Sequence, residues 1–301
     1  MNLKPPKFLI ALLRDETRHS IERYIISIAI IGFILHLGVI LLIDVGILDL
    51  GILNDKISRD PIASIYTPFS FILLYEVYLL VYYLPKSITI YIGKQYEIVS
   101  LIIIRRIFKD LSNLDLSIDD WFGNEYNFQL TVDAFGIIVL FFLIWYFYKI
   151  GRRQNLNKKI DLDTTEDKLA KFIRAKRVMS ALLIPTLFIM SLYSVTNWAW
   201  EVWDVYQGHN HALPDVNRVF YYEFFTMLVL VDVLLLMISF RHTEDYSKLI
   251  RNSGFIISTT LIKISFSADA ILNTILVIAA VGFSVLILMV SLRYKEIGDG
   301  A

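Results

Sequence analysis

Hydrophobic residues along this chain fall in long unbroken runs rather than in the one-faced or alternating patterns of water-soluble elements. The stretch from Tyr24 to Ile43 reads YIISIAIIGFILHLGVILLI, with His36 as its one ionisable side chain of acid or base type. A helix rises about 1.5 Å per residue, so about 20 such residues cross the roughly 30 Å of hydrocarbon in a bilayer. A helix on the surface of a soluble domain would interrupt the run with a polar face. Similar runs span Phe69 to Leu84, Ala134 to Tyr148, Met179 to Trp200, Phe220 to Phe240 and Ile271 to Leu292. Two shorter stretches are apolar but charged: Ile98 to Leu111 carries Arg105 and Arg106, and Phe255 to Phe266 is rich in hydroxyls and carries Lys263.

The distribution of Lys and Arg decides whether the two charged stretches cross. Loops on the cytoplasmic side keep an excess of positive charge. With eight crossings and a cytoplasmic N-terminus, the outer loops hold only Lys56, Arg59 and Arg218 of the 29 basic residues, and the basic segment GRRQNLNKKIDLDTTEDKLAKFIRAKR stays inside. Without the two charged helices as crossings, that segment falls outside or its flanking helices must reverse. The expected fold is therefore an all-α membrane protein of eight transmembrane helices with both termini inside. Trp121, Trp198, Trp200 and Trp203 then fall at the outer boundary, where amphipathic rings prefer to sit.

Composition agrees with this reading and removes several functions. Hydrophobic residues make up 56% of the chain and charged residues 19%, against about 45 to 50% and about 25% in soluble domains. The 29 basic and 29 acidic residues cancel, so no global field favours nucleic acid as a partner. Cysteine is absent, which excludes disulfides and thiolate metal sites. No GxxxxGK[ST], GxGxxG or HExxH pattern occurs, so no cofactor is expected and an enzyme is the least supported class. His209 and His211, beside Asp204 and Asp215, are read as solvated loop residues rather than a metal site. The first twenty residues lack the pattern of a removable signal peptide. Residues 1–22 are expected to hold a helix on the inner leaflet, with Phe8, Leu9, Leu12 and Leu13 at helical spacing.

The charged linker, residues 150–176, divides the crossings into two units of four helices, residues 23–149 and 177–296. The units read alike at nearly constant separation. Arg23 and Arg177 open their first helices, Glu76 and Asp232 sit mid-way along their second, Arg106 and Lys263 lie in their third, and Tyr148-Lys149 and Tyr294-Lys295 follow their fourth. An even number of crossings per unit predicts a parallel repeat about an axis along the membrane normal.

From the second helix onward each unit resembles the phosphate-starvation-inducible PsiE family of small four-helix inner-membrane proteins. The shared pattern is an acid within an aromatic-rich second helix, a short polar turn, a third helix ending in a basic residue, and an apolar fourth helix ending in basic residues. It runs FILLYEVYLLVYYLPKSITIYIGKQYEIVSLIIIRRIFKDLS in the first unit and FFTMLVLVDVLLLMISFRHTEDYSKLIRNSGFIISTTLIKISFSADAILN in the second. This chain departs in fusing two units and in using Asp and Lys where the first unit uses Glu and Arg. The resemblance implies the fold and a bacterial inner-membrane address, and no mechanism.

Ionisable groups at membrane depth cost several kcal/mol unless paired or hydrated, which marks them for function. Glu76, Arg105, Arg106, Asp232 and Lys263 are the candidates, with Ser258, Thr259 and Thr260 as polar lining. One reading pairs Glu76 with Arg105 or Arg106, and Asp232 with Lys263, as an ion or proton path in a homo-oligomeric channel or transporter-like protein. The other takes the same groups as buried pairs that fix helix register in a non-conducting sensor or scaffold. Its partner would be another membrane subunit, or a cytoplasmic protein on the 150–176 linker. His36 is read as a hydrogen-bonded core residue. GxxxG is absent, so no dimerisation motif guides the subunit number.

Overall fold

The computed structural model describes residues 13–48, 61–111, 123–157, 216–242 and 246–299, parts of 175–203, and the single residues 11 and 121. Among these the chain is all-helical, without a strand. Seven α-helices are complete: α1 Asp15–Asp44, α2 Tyr66–Tyr83, α3 Ile88–Leu111, α4 Glu125–Asn157, α5 Val216–His242, α6 Tyr246–Ser265 and α7 Ala270–Asp299, with a 3-10 helix at Pro61–Ile65 before α2. The described residues of 175–203 lie in helical turns, where a fifth crossing is expected.

Local chemistry explains the ends. Asp15 and Glu16 stand in the first turn of α1, where carboxylates meet the positive end of the helix dipole. The helix stops at Gly46, whose φ of 78° is the left-handed conformation that glycine adopts without penalty. Pro85 in the turn between α2 and α3 has no N–H with which to prolong α2. The boundaries shift the expected domains slightly. Asp15 to Glu22 are continuous with α1 rather than a separate helix, and the first residues of the linker, up to Asn157, prolong α4. His209 and His211 lie outside the described residues.

The helices pack in a row: α1 on α2, α2 on α3, α3 on α4, α4 on α7, α7 on α6 and α6 on α5, with α3 also touching α6 and α7. The hairpins α3–α4 and α6–α7 thus meet at the centre. They run the same way. Asp133 and Tyr146 of α4 meet Thr274 and Met289 of α7, while Tyr96 of α3 meets Ser258 of α6. One apolar core joins Leu80 of α2, Ile98 of α3, Leu140 of α4, Phe225 of α5, Phe255 of α6 and Ala280 of α7.

Among the described residues three helices are long and apolar enough to cross a membrane: Asp15–Asp44, Glu125–Arg152 and Ile271–Lys295. Within the most apolar window of α1 only 11% of residues are buried by the chain itself. Its outer side presents Ile30, Ile31, Ile34 and Leu35, and that of α4 presents Phe135, Ile138 and Phe142, all exposed. Leaving so much apolar surface in water is unfavourable by about 25 cal/mol per Å², so hydrocarbon is the solvent that suits these faces. The chain is a helical membrane protein.

Candidate functional site

Four polar side chains of α3, Tyr91, Gln95, Tyr96 and Arg106, turn toward the central helices. They form two clusters at different depths.

The first cluster lies toward the end of the bundle that holds the α2–α3 turn. Gln95, fully buried, donates its Nε2 amide to Oδ2 of Asp232 on α5 at 3.1 Å. The Tyr91 hydroxyl lies close to the same carboxylate without meeting hydrogen-bond geometry. One turn deeper, Tyr96 and Ser258 of α6 share a hydrogen bond of 2.9 Å, and the Ser258 hydroxyl donates to the Ala280 carbonyl of α7 at 2.7 Å. Thr259 is buried beside them and donates to Phe255 O of its own helix at 2.7 Å. Thr260 does the same to Ile256 O at 2.8 Å and is only half-buried, so it stands apart from this lining. Lys176, buried, sits at the same end, its ammonium donating to Lys86 O at 2.9 Å.

The second cluster lies toward the opposite end. Arg106 grips Asp133 of α4 through two bonds, Nε to Oδ2 at 2.6 Å and Nη2 to Oδ1 at 2.7 Å. It also donates to Asn273 Oδ1 at 3.0 Å and to Thr274 Oγ1 at 2.5 Å, both on α7. Thr274 donates in turn to Asp133 at 2.5 Å, and the Asn273 amide nitrogen donates to the backbone carbonyl of Ser265 on α6 at 2.8 Å. The Asp133 side chain is 0% exposed. The close approach of α4 and α7 here depends on Gly136, because a Cβ at that position would stand 2.5 Å from the Thr274 methyl.

Between the clusters lies a layer of aliphatic packing. Ile103, Leu140, Ile262 and Val277, one from each of the four central helices, are buried in the shared core. Ser258 and Ser265 stand seven positions apart on α6, about 10 Å, and Ile262 carries the aliphatic layer between them past Thr259, Thr260 and Lys263.

The arrangement corrects two expected pairings. Arg106 meets Asp133 and not Glu76. The charged groups around Glu76 are Lys94, Glu97 and Glu22, and its Oε2 atom is buried without a hydrogen-bond partner. In that flanking group Lys94 bridges Glu97 at 2.5 Å and Tyr148 donates to Glu97 at 2.6 Å. Arg105 is buried, 5% exposed, but adjacent helix positions are about 100° apart, so it cannot share the partner of Arg106. Asp232 meets Gln95 rather than Lys263. Phe225 of α5 contacts Phe266 of α6 with ring centroids 4.9 Å apart, which sets Asp232 level with Thr259 and leaves Lys263 one turn away. His36 is hydrogen-bonded as expected, to Thr67 at 2.6 Å.

Asp133, Gln95, Tyr91, Asn273 and Thr274 escaped the sequence reading. Asp133 sits just before the apolar run that begins at Ala134, where an acid reads as an interfacial boundary, and neutral amides carry no charge signal. The one available hint was the polarity of the start of α3, ITIYIGKQYE.

No protein-family model, no curated protein and no solved structure matches the chain.

Proposed function

We propose that the chain is a polytopic membrane transport protein, of channel or transporter type, in which the two central polar clusters are half-sites of an ion or proton path held closed by the apolar layer between them. The observation that carries this is their stacking along one seam. From Tyr91 to Arg106 the seam runs about 22 Å along α3, most of the thickness of the hydrocarbon, with polar clusters at both ends and the aliphatic Ile103, Leu140, Ile262 and Val277 packed between them. Acids and amides buried at that depth are costly, which favours a use beyond packing. A dry aliphatic constriction is a familiar means of gating, because it conducts only when it wets.

Eight crossings, with cytoplasmic termini, remain the reading that best distributes the basic residues, and the parallel course of α3–α4 and α6–α7 supports a duplicated unit. The PsiE-like resemblance and the bacterial inner-membrane address rest on the residues quoted above, as does assembly into a homo-oligomer on the apolar outer faces.

Flux through the purified chain in liposomes tests the proposal. Wild-type vesicles should pass protons or small cations, and Asp232→Asn, inserted normally, should change that flux at least tenfold. Vesicles as tight as empty ones under voltage, pH and tension steps would remove conduction. A second reading, a non-conducting scaffold or sensor subunit, is favoured by one observation: Arg106 ties α3, α4 and α7 together in a single closed network. Under that reading the apolar pair Arg106→Leu with Asp133→Leu keeps the assembly intact, and the wild type shows no flux.

A further inference from the structure

The seam between α4 and α7 opens on the outer surface of the bundle as a groove, and each of its walls ends on a cation. Tyr146 of α4 donates to the Met289 sulfur of α7 at 3.8 Å, which sets these two residues at one depth. Lys149 follows Tyr146 by three positions and Arg293 follows Met289 by four, so each stands about 5 to 6 Å farther along its helix. Both are exposed. They lie at the end of the bundle that holds the α2–α3 turn, where Gly151 of α4 meets Thr89 of α3. The Lys149 ammonium sits 4.8 Å from the centre of the Trp145 ring, and that ring is itself exposed, as amphipathic rings are at a membrane boundary. Deeper in the groove the walls are apolar. On α7, Leu286 and Gly282 stand seven and eleven positions before Arg293, the spacing of one helical face. On α4, Phe142 stands seven positions before Lys149 and stacks on Tyr146 with ring centroids 6.4 Å apart. Gly282 leaves a notch, with nothing within 4 Å of where its Cβ would stand. From Arg293 to this notch is about 16 Å, close to half of the roughly 30 Å hydrocarbon and so the depth of one leaflet.

We propose that this groove binds one phospholipid of net negative charge, its phosphate held between Lys149 and Arg293 and one acyl chain laid along Leu286 and Gly282. The site is independent of the transport reading. An arginine fork and an ammonium at one depth match the oxygens of a phosphate. Basic residues between membrane helices at the headgroup level attract anionic lipids, and a zwitterionic headgroup, whose own cation faces the pair, gains less. The apolar wall below the cations has the length of one chain, which a free phosphate would leave unused. A second copy of the protein inserted the same way would bring its own Lys149 and Arg293 to the same depth, like charge against like.

The test is thermal unfolding of the full chain in detergent, titrated with phosphatidylglycerol, with phosphatidylcholine of the same acyl chains, or with inorganic phosphate. Phosphatidylglycerol should raise the midpoint saturably above phosphatidylcholine, by several degrees, and phosphate should not. Lys149→Gln and Arg293→Gln should each weaken the apparent affinity about fivefold. Arg14→Gln with Arg23→Gln, which removes two exposed charges near the start of α1, should leave it unchanged. Gly282→Leu fills the notch with both groove charges intact, and should weaken binding while keeping the lipid-free midpoint near that of the wild type. Should a charge variant fail to fold, Gly282→Leu decides alone. Equal midpoints in the two lipids, undiminished affinity in Gly282→Leu, or a loss in the α1 variant as large as in the groove variants would overturn the site. An equal shift from inorganic phosphate would do the same, leaving an anion site without a chain. An oligomer that Gly282→Leu breaks apart, with no response to either lipid, would put a second copy in the groove and remove the lipid.

Discussion

Arg106 and Asp133 meet side by side, guanidinium fork against carboxylate, at 2.6 and 2.7 Å between α3 and α4. Paired charges of this geometry are tolerable in a medium of low dielectric only while both are present. Removing one leaves the other stranded. Asp133→Asn or Arg106→Leu is therefore expected to cost about 3 to 5 kcal/mol of stability, and the double variant Arg106→Leu, Asp133→Leu to recover a large part of it. Unfolding of the three variants in detergent measures this, and strictly additive losses would contradict the pairing.

Gly136 sits one turn from Asp133 at the α4–α7 contact. Gly136→Val should force the helices apart against Thr274, costing about 1 to 3 kcal/mol by overpacking, and loosen the bond from Thr274 to Asp133. Gly38, which has open space where a Cβ would stand, offers the control, and Gly38→Ala should leave the unfolding midpoint nearly unchanged.

The apolar layer predicts an opposite phenotype. Ile262→Ser places a hydroxyl among the aliphatic side chains between the two clusters and should increase basal leak in liposomes severalfold without loss of insertion. A variant as tight as the wild type, in vesicles where the wild type conducts, would show that the path runs elsewhere.

Gln95→Leu removes the amide donor on Asp232 and leaves a buried carboxylate without that bond. The expected cost is about 1 to 3 kcal/mol. Thr260→Val, whose hydroxyl serves only its own helix, should cost far less. Comparable losses in the two variants, read from the same unfolding curves, would discount the Gln95 contact.

Topology can be read directly because the chain has no cysteine. Single cysteines at Asn124 and Arg152, which flank the crossing part of α4, should react with an impermeant reagent from opposite sides of the membrane. Both labelled from one side would overturn the eight-crossing arrangement.

The membrane class and the helical runs were legible along the chain, because burial in hydrocarbon imposes length and apolarity on each segment independently of its neighbours. Partners are another kind of information. Acid and base within one hairpin were the natural pairs by separation, yet Arg106 reaches the next helix of its own hairpin and two residues of α7, more than 160 positions away. Which way a side chain points at a given depth depends on helix rotation and on the small residues that let particular helices approach, as Gly136 does for α4 and α7. Those choices are made only when all the helices pack together, so Gln95, Asn273 and Thr274 became visible as part of the seam only in the folded chain.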